Sequence, residues 1–195
     1  MKKEKIQPVT QFSSVLMQPM LHEIYICTEI KEPTHYIDQF NTIRHAQEED
    51  TVRIILNTRG GVLATALQFI RAMGESKAHI ITSIEGDCMS AGTMIFLAGH
   101  EFEIAAHSSI MVHNYTGGIV GKAHEIHSQS DFQKQWASDF YNDIYDQFLT
   151  KDEIDLVLSG KDLYLTTNET AIRCEKLQKY REELAELIQE EHNNE

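Results

Sequence analysis

Ile84-Glu-Gly-Asp-Cys-Met-Ser90-Ala-Gly-Thr-Met-Ile-Phe-Leu-Ala-Gly99 is the stretch on which the reading of this chain turns. A β-type run, His79 to Ile84, leads into it. Glu85-Gly86-Asp87 reads as a polar turn, and the small and apolar residues beyond Met89 read as a buried helix. Ser90 then stands where a strand hands over to a helix. The unpaired N–H groups of a helix's first turn point there, and the helix dipole favours negative charge. An oxyanion raised by a serine nucleophile finds donors in place at such a position. Close packing by a small residue is the competing reading, so the segments on either side have to decide.

Upstream, Val52 to Leu56 is a short β-branched strand stopped by Asn57-Thr-Arg-Gly60-Gly61. Leu63, Ala66, Leu67, Ile70 and Met73 then keep helical register, with Gly74 as the expected terminus. Before them lie a strand, Leu21 to Thr28, and an amphipathic helix opened by Pro33-Thr34, with Thr34 as N-cap and Tyr36, Ile37, Phe40, Ile43 and Ala46 on one face. Downstream, Phe102 to Ala105 and Ser109 to Val112 read as strands, and Asn114 to Gly121 as a flexible loop. A long helix is expected from Ala123 to Phe148, with Trp136, Phe140, Ile144 and Phe148 as its apolar stripe. Thr150-Lys-Asp-Glu153 is a capping box for a helix ending at Leu158. Asp162 to Leu165 is a brief strand, and Thr166 to Glu169 caps a last helix carrying Cys174, Leu177, Tyr180, Leu184 and Leu187, with Glu190 to Glu195 expected to fray. Strands alternating with helices predict an α/β fold with a largely parallel sheet. Met1 to Met20, with Pro8 and Pro19 and no period, reads as an arm.

Composition narrows the function. A chain of 195 residues, 42% hydrophobic and 24% charged, is most simply one globular domain. Its 30 acidic and 17 basic residues give −13, which argues against nucleic acid or an anionic membrane as partner. Cys27, Cys88 and Cys174 are odd in number and far apart, the usage expected of a reducing compartment. No apolar segment follows the charged Met1-Lys-Lys-Glu-Lys start and no run approaches membrane-spanning length, so a cytoplasmic location is expected. The Walker and G-x-G-x-x-G patterns are absent, and His124 and His127 lack an H-E-x-x-H context. Neither a cofactor nor a metal is expected.

Three positions could join Ser90 in chemistry. His113 ends a β-type run beside the glycine-bearing loop, a suitable place for a general base with a pKa near neutrality; a structural role is the alternative. Asp162 follows a Gly-Lys turn and begins a short strand, where an aspartate can orient a histidine. Gly60-Gly61, opening a helix, is suited to presenting a bare N–H, although an ordinary tight turn would look the same. Cys88 two residues before Ser90 breaks the G-x-S-x-G elbow, and the order Ser90, His113, Asp162 is not that of the α/β-hydrolases.

Taken in order, these segments resemble the proteolytic subunit of the Clp protease. Asn57-Thr-Arg-Gly-Gly61 resembles its Asn-Ser-Pro-Gly-Gly turn, and Gly86-Asp-Cys-Met-Ser90-Ala its Gly-x-Ala-Ser-x-Ala segment. Met111-Val-His113-Asn resembles its Met-Ile-His-Gln. Gly117-Gly-Ile-Val-Gly121-Lys-Ala123 is similar to its Gly-Gly loop, and Leu158-Ser-Gly-Lys-Asp162-Leu-Tyr-Leu-Thr166 to its Asp-Arg-Asp-x-x-x-(Ser/Thr) segment. The resemblance covers about Leu21 to Ala171. It implies a ββα superhelix of the Clp-protease and crotonase type, with a handle helix over about 122–149; beyond the resemblance, a charged C-terminal helix or tail over 172–195 is expected as an extra element. It also implies Ser90 as nucleophile, His113 as general base, Asp162 as its orienting partner, and the N–H groups of Gly61 and Ala91 as oxyanion hole. Gly117, Gly118 and Ile119 would take an extended substrate as an added strand. Polypeptide substrates, a homo-oligomer built on heptameric rings and an AAA+ unfoldase partner are implied as well. Arg59 stands where the family has proline, Gly160 and Lys161 replace an acidic residue and an arginine at positions linking rings, and the family's Tyr-Gly-Leu-Ile-Asp ending is missing. A viral capsid-maturation protease, an inactive regulatory subunit and a crotonase-like acyl-CoA enzyme are the competing readings.

Overall fold

The computed structural model describes residues 18–193, and along them run six strands and six α-helices, alternating except where β4 is followed by β5 and α4 by α5. In chain order they are β1 (Leu21–Ile26), α1 (Ile37–His45), β2 (Thr51–Thr58), α2 (Leu63–Glu75), β3 (His79–Met89), α3 (Ala91–Leu97), β4 (Glu101–Ile104), β5 (Ser109–Val112), α4 (Ala123–Ile144), α5 (Lys151–Leu158), β6 (Leu163–Thr166) and α6 (Thr167–Asn193). Of the arm expected over residues 1–20, residues 1–17 lie outside those described.

One six-stranded sheet runs β1-β2-β3-β5-β6, with β4 also paired to β3. Every pairing is parallel except β5 with β6, so the expected α/β architecture holds. β2 explains why the sheet is covered on both faces: Val52, Ile54, Ile55 and Leu56 are all 0% exposed, and a continuous β-branched run suits a strand buried on two sides. On the helical side Tyr36, Phe40 and Phe69 form a tilted aromatic cluster. Burying each of the two phenylalanines contributes about 1.5–3 kcal/mol.

β3 is the long strand, and the chain uses it twice. Ile81–Ile84 pair with β4, whereas Asp87–Met89 pair with β5. The turn expected at Glu85-Gly86-Asp87 is therefore a bulge inside a continuous strand. The register against β2 slips there, from Leu56 opposite Ile84 to Thr58 opposite Cys88. Tertiary partners hold the bulge: Asn57 Oδ1 accepts from Asp87 N–H at 3.1 Å, and Ser109 Oγ donates to Asp87 Oδ1 at 2.8 Å. A Cβ on Gly86 would lie 2.6 Å from Asn57 Oδ1, which is why a glycine occupies the crest.

Several boundaries differ from the sequence expectation. Thr34 caps nothing: a 3₁₀ turn, Pro33–Tyr36, precedes α1. Gly74 lies inside α2, which Ser76 terminates, and Ser76 Oγ donates to Ile43 O. α4 stops at Ile144, and the chain reverses through Gln147 at φ 61° so that Phe148 turns inward. The buried stripe of this region is Ala137, Tyr141, Tyr145 and Phe148, whereas Trp136, Phe140 and Ile144 are only half-buried. The first half of α4 projects from the body, with Phe132 68% exposed. α6 continues through the stretch expected to fray as far as Asn193, and residues 194–195 lie outside those described.

Candidate active site

Ser90 is the N-cap of α3 and carries φ 53° and ψ −123°. Few residues other than glycine adopt such a conformation, and it persists only where the surroundings over-determine it. Here Ser90 N–H donates to Met111 O at 2.8 Å, while Ser90 O accepts from Thr93 N–H at 2.9 Å and from Thr93 Oγ1 at 2.7 Å. The sharp turn from strand to helix lifts Oγ away from both elements. A strained serine at a strand–helix turn is the geometry of a nucleophile elbow, reached here without the flanking glycine two residues earlier.

β5 delivers the second group. Because Met89 pairs with Met111, the strand end at His113 falls beside the elbow. His113 Nε2 lies 2.8 Å from Ser90 Oγ. A proton on Oγ therefore has an acceptor at hydrogen-bond distance, the first requirement for a general base.

Two backbone donors face the same place. Ala91 is the first residue of α3, so its N–H has no intrahelical acceptor. Gly61 lies in a turn fixed by β1's extension: Ile30 N–H donates to Gly60 O at 2.8 Å and Val62 N–H donates to Ile30 O at 2.9 Å. That parallel bridge uses the groups on either side of Gly61 and leaves the Gly61 N–H itself out of it. Thr58 Oγ1 secures the turn from below, accepting from Gly60 N–H at 3.1 Å. Both glycines are obligatory. Gly60, at φ 94°, would set a Cβ 2.7 Å from Met89 O, and Gly61, at φ 149°, would set one 2.2 Å from Ile30 O. Arg59, in the same turn, ion-pairs with Asp87 at 3.7 Å.

A cavity of about 380 Å³ opens at these groups, lined among others by Glu29, Gly61, Ser90, Met94, His113 and Tyr115. Val62, Leu63 and Tyr141 complete its apolar wall. Of the loop residues expected to hold substrate, Gly117 and Gly118 are exposed and Ile119 is half-buried; the cavity itself reaches Tyr115 and Thr116 just before them.

Asp162 stands one residue before β6. Val112 pairs with Leu163 in the antiparallel β5–β6 ladder, so the next step of that register sets Asp162 opposite His113. Its side chain is exposed, and no hydrogen bond or ion pair joins it to His113 among the described residues. The structure thus brings together Ser90, His113, Gly61 and Ala91, and leaves Asp162 as a neighbour across the ladder. Sequence reasoning missed Thr93, Tyr141 and Tyr145. Tyr141 O–H donates to His113 O at 2.7 Å, and Tyr145 is in 2.7 Å contact with Thr93 Oγ1. Burial pushes the Tyr141 phenol up to about 12 and raises the Tyr145 phenol as well. Among the described residues no three histidine, cysteine or carboxylate side chains cluster to hold a metal.

This arrangement agrees with an independent comparison of the sequence: the family model for Clp protease matches residues 9–170. The chain belongs to the Clp protease family. The mixed α/β fold with a six-stranded sheet and a long C-terminal helix is consistent with that membership, and a Clp protease chain is a peptidase, a hydrolase. The matched span takes in Gly61, Ser90, Ala91, His113 and Asp162 and ends in the first turn of α6, so most of the 27-residue helix lies beyond it.

Proposed function

We propose that this Clp-family chain is a serine endopeptidase acting on extended polypeptide through Ser90. Ser90 Oγ attacks the scissile carbonyl while His113 Nε2 takes its proton, then passes that proton to the leaving amine. The tetrahedral oxyanion is received by the N–H groups of Gly61 and Ala91. The acyl-enzyme is hydrolysed by water activated at the same ring nitrogen. Asp162 orients the His113 ring once its carboxylate turns toward it. Gly117, Gly118 and Ile119 bind the substrate backbone as an added strand, and the apolar wall formed by Val62, Leu63 and Met94 takes an apolar side chain. A homo-oligomeric chamber of heptameric rings, fed by an AAA+ unfoldase in the cytoplasm, is the setting the family suggests. The observation that carries the reading is the 2.8 Å contact between His113 Nε2 and Ser90 Oγ at a strained helix N-cap.

The test is labelling with a fluorophosphonate, read by intact mass, on wild type, Ser90→Ala and His113→Ala. One adduct on wild type and none on either variant supports the reading. Equal labelling of Ser90→Ala would sink it. The unbonded Asp162 favours a second reading, a regulatory subunit whose isolated form is inert; a folded, assembled wild type that takes no label would select it.

A further inference from the structure

Both members of the catalytic pair hang from one face of one helix. Tyr141 lies in the last turn of α4, and Tyr145 is the residue that closes it. Their rings are 5.6 Å apart, and the side chains are 1% and 0% exposed. Tyr141 O–H reaches the carbonyl of His113 at 2.7 Å. Tyr145 works through an intermediary. The Thr93 hydroxyl has one proton and gives it to Ser90 O at 2.7 Å, so at its other 2.7 Å contact it must accept, and Tyr145 must donate. The chain of donors is Tyr145 O–H to Thr93 Oγ1–H to Ser90 O, buried at its tyrosine end and polarised in one direction. One phenol therefore holds the carbonyl of the base, and the other, by one relay, holds the carbonyl of the nucleophile.

We propose that Tyr141 and Tyr145 are positioning residues for the peptidase reaction, their hydroxyls fixing the backbone on both sides of the contact between Ser90 Oγ and His113 Nε2. The proposal rests on the reading of those two residues as nucleophile and base. The need for such restraint follows from the local backbone. Ser90 is held at φ 53°, which relaxes unless its carbonyl is pinned. His113 lies just past the last paired residue of β5, where the ladder no longer fixes the chain. If the tyrosines served only as packing, phenylalanine would serve as well, because it fills the same space without the hydroxyl. Placing the reacting atoms demands more than filled space, since a misplacement of about 1 Å costs on the order of 100-fold in rate.

The experiment uses the full chain with Tyr141→Phe, Tyr145→Phe, and as control Tyr180→Phe on the half-exposed face of α6. Three quantities are read: the fluorophosphonate labelling rate, the split of kcat and KM on a short peptide substrate, and ring ¹⁵N spectra of histidine. The spectra report the His113–Ser90 contact without turnover, with Ser90→Ala as the broken-contact reference. Expected is a folded protein in which each of the two Phe variants labels about 10-fold to 100-fold more slowly, with kcat lowered, KM within about twofold, and the His113 signal displaced toward the reference. Tyr180→Phe should match wild type in all three. Thr93→Val should reproduce Tyr145→Phe, and Thr93→Ser, which restores the hydroxyl, should rescue it. Those threonine variants decide the matter if a tyrosine variant does not fold. Wild-type labelling and an unmoved His113 signal in both Phe variants would overturn the proposal, as would Thr93→Ser behaving like Thr93→Val. If wild type takes no label while the Phe variants still displace the His113 signal, the peptidase reading fails and the positioning role stands.

Discussion

Acid sensitivity should concentrate at one ion pair joining α5 to α6. Arg173 holds Glu153 bidentately, at 2.8 and 2.7 Å, and also donates to Phe148 O at 2.9 Å. The Glu153 carboxylate accepts from Thr150 N–H as well, closing the capping box of α5. The bonds from Arg173, aided by those from Thr150, hold its carboxyl at about 2 against an ordinary 4.5. A folded-state value below the unfolded one stabilises the fold above the unfolded value, and the stabilisation is lost as pH falls through the folded one. The interval corresponds to roughly 3 kcal/mol at 1.36 kcal/mol per pH unit, and both partners are only about one-fifth exposed, so solvent screening takes little from it. Of that, about 2 kcal/mol should be gone by pH 3. Glu153→Gln keeps the acceptor for Thr150 and removes the titrating charge. Urea unfolding at fixed protein concentration, repeated from pH 7 to pH 3, should show wild type more stable than the variant by roughly 3 kcal/mol at neutrality, the gap closing to about 1 kcal/mol at pH 3. A gap that stays constant across that range would refute the assignment of the acid sensitivity to this carboxylate.

Gly61→Ala should remove hydrolysis while leaving most of the fold, since its Cβ would meet Ile30 O at 2.2 Å and force the turn away from Ser90. Losing one oxyanion donor typically costs 10²–10³ in kcat, so a steady-state rate within about threefold of wild type would exclude Gly61 from the site. Arg181, from the part of α6 beyond the family match, donates to Leu97 O at 2.8 Å and Gly99 O at 2.9 Å, capping the C-terminal end of α3, and lies over the Phe102 ring. Arg181→Ala should cost about 2–4 kcal/mol in thermal or chemical unfolding; a loss under about 0.5 kcal/mol would show the contact to be incidental.

What the sequence made legible and what it hid divide along a physical line. Ser90 as a helix-opening residue follows from local pattern alone, because the switch from a β-branched run to small residues marks the junction. His113 was legible for the same reason, as the end of a four-residue strand. The Glu85–Asp87 bulge reads as a turn from local sequence because Asn57 and Ser109, which hold it in the strand, lie far away in the chain. The buried face of α4 lies one residue from the stripe that apolar spacing marks: Ala137 and Tyr141 are buried with the closing Tyr145, while Trp136, Phe140 and Ile144 are half-buried. Spacing alone does not choose between two sets of residues that both recur every four positions. Phe148 joins the buried set because the chain reverses at Gln147, beyond the helix. What Tyr141 and Tyr145 bond to is not legible in either case: the carbonyls of His113 and Ser90, the second reached through Thr93, are features of the folded backbone that no residue type announces.

β5 meets β3 only along Asp87–Met89, and His113 stands beyond that short seam. A chain made from its N-terminus has β1, β2 and β3 synthesised before His113, and Tyr141 and Tyr145 come later still. N-terminal portions can fold while the remainder is being made. During that interval nothing stands ready to accept the Ser90 Oγ proton, and the turn at Ser90 still lacks the Met111 and Tyr145 contacts that hold it. Chain order therefore makes the contact between Ser90 and His113 one of the last parts of the fold to be completed.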